Sequence, residues 1–213
     1  MIVYWILLLI TALFAYIIGS LDTMVLASNF LFHRNLRRLG SGETWLSNFK
    51  RLYGYGGFFK LLAVEVVKDL IPLLIGGLLL GFREHADAGR AFAGFCMVLG
   101  RLYPATNRCR GGHASLAMAV AAFSSDASVG IATLVVVAAV TIIGKYPSLG
   151  AFVGAAAFIV VSVIVVEDTL LSRLAIITGL LVIFRNIPAM IRILRGREIR
   201  YSSREDITYK LDE

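Results

Sequence analysis

Seven apolar stretches recur along the chain, each followed by a polar gap: Ile2 to Phe32, Phe58 to Phe82, Ala91 to Tyr103, Ser115 to Phe123, Val129 to Ile143, Leu149 to Val166 and Leu170 to Phe184. A helix needs about 20 residues to cross a bilayer, so the pattern predicts an all-α integral membrane protein of about seven transmembrane helices. The first stretch exceeds that length, and its end at Met24 to Phe32 is expected to bend along the interface. The third and fourth fall short. They fit half-helices meeting near the Gly-rich segment Arg110 to Ser115, whose backbone must then be buried in protein or line a wet cavity.

Charge placement orients the bundle. Seventeen of the 21 Lys and Arg residues fall between Arg34 and Lys60, between Arg101 and Arg110, at Lys145, or from Arg185 onward. The alternate gaps hold Glu84, Asp87, Asp126, Glu167 and Asp168. Loops rich in Lys and Arg stay on the cytoplasmic side, so the N-terminus is expected outside and the C-terminus inside. A six-span count would put the basic tail on the wrong face. Residues 1–200 are read as a single multi-pass domain and 201–213 as a polar cytoplasmic tail.

Composition sharpens this. Of 213 residues 58% are hydrophobic and 16% charged, against about 25% charged in ordinary globular proteins. The net charge of +7 comes with no basic stripe interleaved with aromatics, which argues against nucleic acid. Anionic headgroups and topology explain it better. Cys96 and Cys109 form neither a metal spacing nor a disulfide framework; no metal or cofactor is expected, and both thiols are expected reduced. Met1 to Ser20 lacks the basic start and small-residue cleavage site of a signal peptide and reads as a retained first helix. Gly77 with Gly81, and Gly150 with Gly154, have the spacing of close helix crossings, read as ordinary packing within one molecule.

Four groups of residues could carry chemistry. Gly40-Ser41-Gly42, with Asn48 and Arg51 after it, offers a sharp turn with free amides and a cation suited to phosphate; taken alone, GSG reads first as a common interfacial turn. Arg110-Gly111-Gly112-His113, preceding a helix, can cradle a phosphate by amides and dipole, or can be a loop whose arginines set topology. Lys145 to Ser148 is a short cytoplasmic turn. Glu65, Lys68 and Asp69 can share one helix face inside the bilayer, and ionisable groups at that depth point first to function; a structural trio with a snorkelling lysine remains open.

Taken together these segments resemble the bacterial membrane glycerol-3-phosphate acyltransferases that use acyl-phosphate as donor. GSGETWLSNFKR, Gly40 to Arg51, is similar to that family's GSGNxGATNxxR. RLYPATNRCRGGHA, Arg101 to Ala114, runs in register with HxYPxFxxFKGGKG. AYIIGS, VKDLIP, KYPSLGAF from Lys145, and RILRGREIR from Arg192 extend the likeness over nearly the whole chain. There are departures. Glu43 replaces Asn, Trp45 and Leu46 replace small residues, and Arg101 replaces His. Arg110 and His113 replace two lysines, so that the charge at position 113 becomes pH-dependent, the reference pKa of histidine being about 6.5. The third motif, RHREN in the family, reads RNIPA from Arg185 to Ala189: Asn186 stands for His, Ala189 for Asn, and Pro188 disturbs the helix.

The resemblance implies an enzyme of the bacterial plasma membrane, working on its cytoplasmic face without cofactor. It would transfer a fatty acyl group from acyl-phosphate to glycerol 3-phosphate, making lysophosphatidic acid for phospholipid synthesis. Ser41 and Arg51 would be catalytic. Gly40, Gly42, Asn48, Arg110, Gly111, Gly112, His113, Lys145 and Ser148 would bind substrate. Two alternatives stay open: a catalytically silent paralogue that binds lipid phosphate or regulates a partner, and a small transporter or flippase-like bundle. No His precedes an Asp in HxxxxD spacing, and there is no Walker A loop or HExxH helix.

Overall fold

In a computed structural model of the chain, residues 2–23, 25–26, 46–82, 85–105, 111–112 and 114–198 are described, with the backbone alone over 46–53. The principal helices are α1 (Ile2–Ser20), α2 (Leu46–Gly81), α3 (Ala86–Leu102), α4 (Ser115–Ala122), α5 (Ala127–Gly144), α6 (Pro147–Val165) and α7 (Thr169–Leu194). Each falls on one of the seven apolar stretches, so an all-helical architecture follows directly from the hydropathy pattern. Of these, α1, α5, α6 and α7 are long and apolar enough to cross a membrane. With eight residues, α4 rises only about 12 Å, well short of the roughly 30 Å hydrocarbon core. The expected bend at Met24 to Phe32 lies largely outside the described residues.

Helix ends follow local chemistry. Asp126 caps α5 by accepting from the Ser128 amide at 2.7 Å and from its hydroxyl. Asp168 caps α7 through the amides of Leu170 at 2.7 Å and Leu171 at 3.1 Å. These two acids read as topology markers in the sequence and turn out to satisfy orphan N–H groups as well. Pro147 takes the first position of α6, where its missing N–H costs nothing. Gly54 breaks α2 with φ 69°. At its far end α7 outruns the apolar pattern by a full ten residues, through an outward-facing Pro188, to Leu194.

Among the described residues two compact units emerge, one comprising residues up to Leu21 and from Lys68 to Glu198, the other lying within Asp22–Val67. In the first, α3 is the hub, contacting α1, α4 and α7 and, through Gly89, the C-terminal half of α2. Its small residues, among them Ala91, Ala93 and Gly94, are buried together with Met97 and Val98. They let backbones meet: a Cβ on Gly76 would sit 2.6 Å from the Gly89 carbonyl oxygen, and one on Gly100 would sit 3.0 Å from the Ser20 nitrogen. Gly150 and Gly154 press on Thr141 and Val137 of α5, the intramolecular packing their spacing predicts. Outward, α1 presents Trp5, Leu9, Leu13 and Ile17, an apolar stripe suited to lipid. Within α2, Lys68 pairs with Asp69 at 3.0 Å with the carboxylate buried, so that charge at this depth is compensated.

Candidate functional site

The segment carrying the paired glycines begins where α3 ends. Arg101 donates from Nη1 to the Leu21 carbonyl at 3.3 Å, and the Tyr16 hydroxyl donates to the Tyr103 carbonyl at 2.7 Å. Both bonds tie the end of α3 to the end of α1, and give Arg101, which stands in place of a family His, a structural partner. Beyond the intervening residues, Gly111 lies backbone against backbone on the end of α3. A Cβ there would come within 2.5 Å of the Leu102 carbonyl oxygen, so only glycine fits. Gly112 is the opposite case: nothing among the described residues lies within 4 Å of where its Cβ would be. One glycine is wedged, and the next meets none of the described residues.

The turn is met by α7. Its Arg185 donates from Nη2 to the Gly111 carbonyl at 3.1 Å, a contact between residues 74 apart in sequence. The next residue, Asn186, is buried and gives its amide to the Val182 carbonyl at 2.8 Å. Ala189, the other altered position of the third motif, is also buried. The face that carries His and Asn in the family motif therefore still points inward, with less chemistry on it.

The α5–α6 turn carries the third candidate segment. Lys145 closes α5 in the left-handed region, φ 59°, with an exposed side chain, where the helix dipole favours a cation. Ser148 follows at the start of α6, only 1% exposed. Its hydroxyl donates to Oε1 of Glu198 at 2.7 Å, and Arg192 Nε donates to Oε2 of the same carboxylate at 2.7 Å. Glu198 reaches Ser148 because of how α7 ends. The Gly196 amide bonds to the Ile193 carbonyl at 2.9 Å and the Arg197 amide to the Arg192 carbonyl at 2.8 Å, with Gly196 at φ +65°. This is a Schellman closure, and it folds the chain back one residue before Glu198.

The direction of the Ser148 bond has a chemical consequence. An ionised carboxylate only accepts, so Ser148 spends its single hydrogen on Glu198 and keeps lone pairs. It can accept from a substrate hydroxyl but cannot donate to a phosphate oxygen. The two non-glycine residues with positive φ among those described are Lys145 and Ala114, the latter at 54°. Ala114 occupies the place of the last glycine in the family's second motif. Strained backbone gathers at sites, and here both instances fall in motifs picked out by sequence.

Of the residues expected to form the site, Gly111, Gly112, Lys145 and Ser148 are placed as above. Asn48 and Arg51 lie on the first turns of α2, described by backbone only; Gly40, Ser41, Gly42, Arg110 and His113 lie outside the described residues. Sequence reasoning missed Arg185 and Glu198. Arg185 was grouped with the basic tail, although it is the first cation after an unbroken apolar run. Glu198 belongs to the quoted RILRGREIR segment, and the glycine two residues before it was the available signal of a turn back.

Comparison with known proteins closes the question of kinship. The sequence model of the family described as glycerol-3-phosphate acyltransferase matches residues 9–196. A glycerol-3-phosphate acyltransferase of Thermoanaerobacter sp. (strain X514) is 27% identical over 198 residues, covering 93% of this chain and 98% of that protein. One from Staphylococcus carnosus (strain TM300) is 29% identical over 195 residues, covering 87% and 94%. The crystal structure of PlsY, an integral membrane glycerol 3-phosphate acyltransferase, in its glycerol 3-phosphate form shares the fold with TM-score 0.76 at 24% identity, covering 92% of this chain and 96% of that one. A membrane protein by fold and by its apolar helices, and matched from the middle of α1 to the glycine that turns Glu198 back, the chain belongs to the glycerol-3-phosphate acyltransferase family.

Proposed function

We propose that this protein transfers a fatty acyl group from acyl-phosphate to the sn-1 hydroxyl of glycerol 3-phosphate. The hydroxyl oxygen attacks the acyl carbonyl carbon, the bond from that carbon to the bridging phosphate oxygen breaks, and phosphate leaves with the electron pair. The products are lysophosphatidic acid and inorganic phosphate. The observation that carries this reading is the family match over 9–196, which includes both the wedged Gly111 turn and Ser148. Roles follow the motif correspondence. Ser41 orients the attacking hydroxyl and relays its proton, and Arg51, Arg110 and Lys145 neutralise phosphate oxygens. Gly40, Gly42, Gly111 and Gly112 offer backbone amides, and His113 adds a pH-dependent cation. Asn48 hydrogen-bonds the substrate, and Ser148 accepts from a glycerol hydroxyl. Phosphate is a good leaving group, so fixed cations aimed at developing charge suffice without a strongly activated nucleophile.

The same proposal takes residues 1–200 as one domain of seven membrane segments, N-terminus outside, with the site facing the cytoplasm of a bacterial cell and 201–213 as its tail. A second reading, the silent lipid-phosphate-binding paralogue, draws on the altered third motif, where Asn186 and Ala189 stand buried in place of His and Asn. Purified protein in lipidic membrane, given palmitoyl-phosphate and labelled glycerol 3-phosphate, separates the two. Labelled lysophosphatidic acid that disappears in Arg51→Ala is the expected result. Absence of product from folded protein overturns the enzyme reading in favour of the second.

A further inference from the structure

We propose that Arg185 is a phosphate-binding residue, its guanidinium tethered to the Gly111 carbonyl and presenting Nε to the phosphate of a bound substrate. The inference rests on the acyltransferase reading for the identity of the ligand, though not for the chemistry of the site.

Three observations converge on it. First, Arg185 lies well inside α7, nine residues before its end. The residue is half-buried, and the part of a guanidinium withdrawn from water is costly unless its N–H groups are served. Second, service is incomplete. Nη2 has the Gly111 carbonyl at 3.1 Å, but Nε is buried and has no hydrogen-bond partner among the described residues. The acids of this unit that bear on buried cations are engaged elsewhere: Asp69 with Lys68, and Glu198 with Ser148 and Arg192. Third, Gly111 is closed on one side by the end of α3, while no described residue lies within 4 Å of a Cβ placed on Gly112.

Geometry joins these facts. Nε–H and Nη2 share one edge of the guanidinium, the edge that grips two oxygens of a carboxylate or phosphate. An oxyanion accepting from Nε therefore lies beside the Gly111–Gly112 turn, within reach of its backbone and of the substrate phosphate assigned to it above. A carboxyl side chain would have served equally well as a fixed partner for a structural arginine, and none of the described residues supplies one. Lysine in this place would carry the charge but could not hold Gly111 and an anion in one plane.

Thermal unfolding of the full-length protein in detergent, titrated with inorganic phosphate and separately with glycerol 3-phosphate, tests this directly. Stabilisation by both ligands is expected for the natural protein. It should weaken at least tenfold in apparent affinity in Arg185→Gln, with an intermediate loss in Arg185→Lys. Steady-state kinetics then identify which phosphate is held. A KM raised tenfold or more for glycerol 3-phosphate alone assigns the acceptor, and the same rise for palmitoyl-phosphate alone assigns the donor; either supports the proposal. If Arg185→Gln merely lowers the ligand-free Tm while ligand affinity and both KM values stay unchanged, Arg185 is a brace for Gly111 and the proposal is overturned. Should Arg185→Gln fail to fold, the same comparison made with Arg185→Lys decides. The two readings fail separately. Natural protein that turns over nothing yet binds phosphate through Arg185 sinks the enzyme, whereas undiminished turnover and affinity in the variants sink only Arg185.

Discussion

Glu198 holds two partners at the same distance, and the structure says they are not of equal worth. Its bond to Ser148 joins a hydroxyl that is 1% exposed to a carboxylate that is 12% exposed. A buried hydrogen bond to a charged group contributes about 1.5–3 kcal/mol. Its bond to Arg192 joins the same carboxylate to a guanidinium that is 51% exposed, and pairs that open to solvent are worth about 0–1 kcal/mol. The expected perturbations are Ser148→Ala, Arg192→Ala, Glu198→Ala and the two double variants containing Glu198→Ala, unfolded in a fixed detergent. The double-mutant cycle should give a Ser148–Glu198 coupling of about 1.5–3 kcal/mol and an Arg192–Glu198 coupling below about 1 kcal/mol. For a chain of this size each kcal/mol moves Tm by about 2–4 °C, so the first coupling is readable by thermal unfolding alone. A functional readout accompanies it. Without Glu198 the Ser148 hydrogen is free to rotate, and the KM for glycerol 3-phosphate should rise while that for the acyl donor holds. An Arg192 coupling equal to or larger than the Ser148 coupling would refute the reasoning, because the solvent-facing pair would then be the anchor.

The Ala114 backbone predicts a stabilising change: Ala114→Gly removes a left-handed penalty of about 1–2 kcal/mol and should raise Tm, and a fall would mean the alanine methyl is worth more than the strain. On α2, Gly76→Ala drives a methyl to 2.6 Å from a backbone oxygen, while Gly81→Ala finds its nearest neighbour at 3.6 Å. Overpacking of about 1–3 kcal/mol should make the first variant clearly less stable than the second in the same melt. In acyl-transfer assays Ser41→Ala and Arg51→Ala should each lower turnover by about 100-fold, and His113→Lys should leave it level or raise it; full turnover in Ser41→Ala removes the role given to the first motif. Asp126 is held below its ordinary value of 3.8 by the hydroxyl and then the amide of Ser128. A carboxyl depressed in the folded state adds stability above its unfolded value and loses it as pH falls through the folded one. Stability should therefore drop on acidification below about pH 4, with a flatter acid limb in Asp126→Asn.

The helices were legible because burial in lipid leaves a run-length signal that needs no partner. Where the reading fell short, a partner was needed. The end of α7 was set at Phe184 because Arg185 and Asn186 are polar. Both are accommodated in the helix, one by a carbonyl 74 residues away and the other by a carbonyl one turn back. Asp126 and Asp168 cap helices through hydrogen bonds, a role that charge counting does not see. Among the candidate residues, spacing singles out the glycines and Ser148, since each sits in a contiguous motif. It could not find Glu198, whose partner lies 50 residues earlier and is met only after the Gly196 turn.

The shortness of α4 bears on how the protein is made. A ribosome delivers its chain N-terminal end first, so Ser115 to Ala122 reaches the bilayer before α5, α6 or α7 exists. Eight residues cannot partition into lipid unaided, yet from Ala117 to Ala122 every one of them ends up enclosed, with α3 on one side and the three later helices on the others. Insertion and folding are thus separate events here. The long helices must enter first, and the Gly111 turn with α4 behind it gains its contact with Arg185 only once α7 has been synthesised.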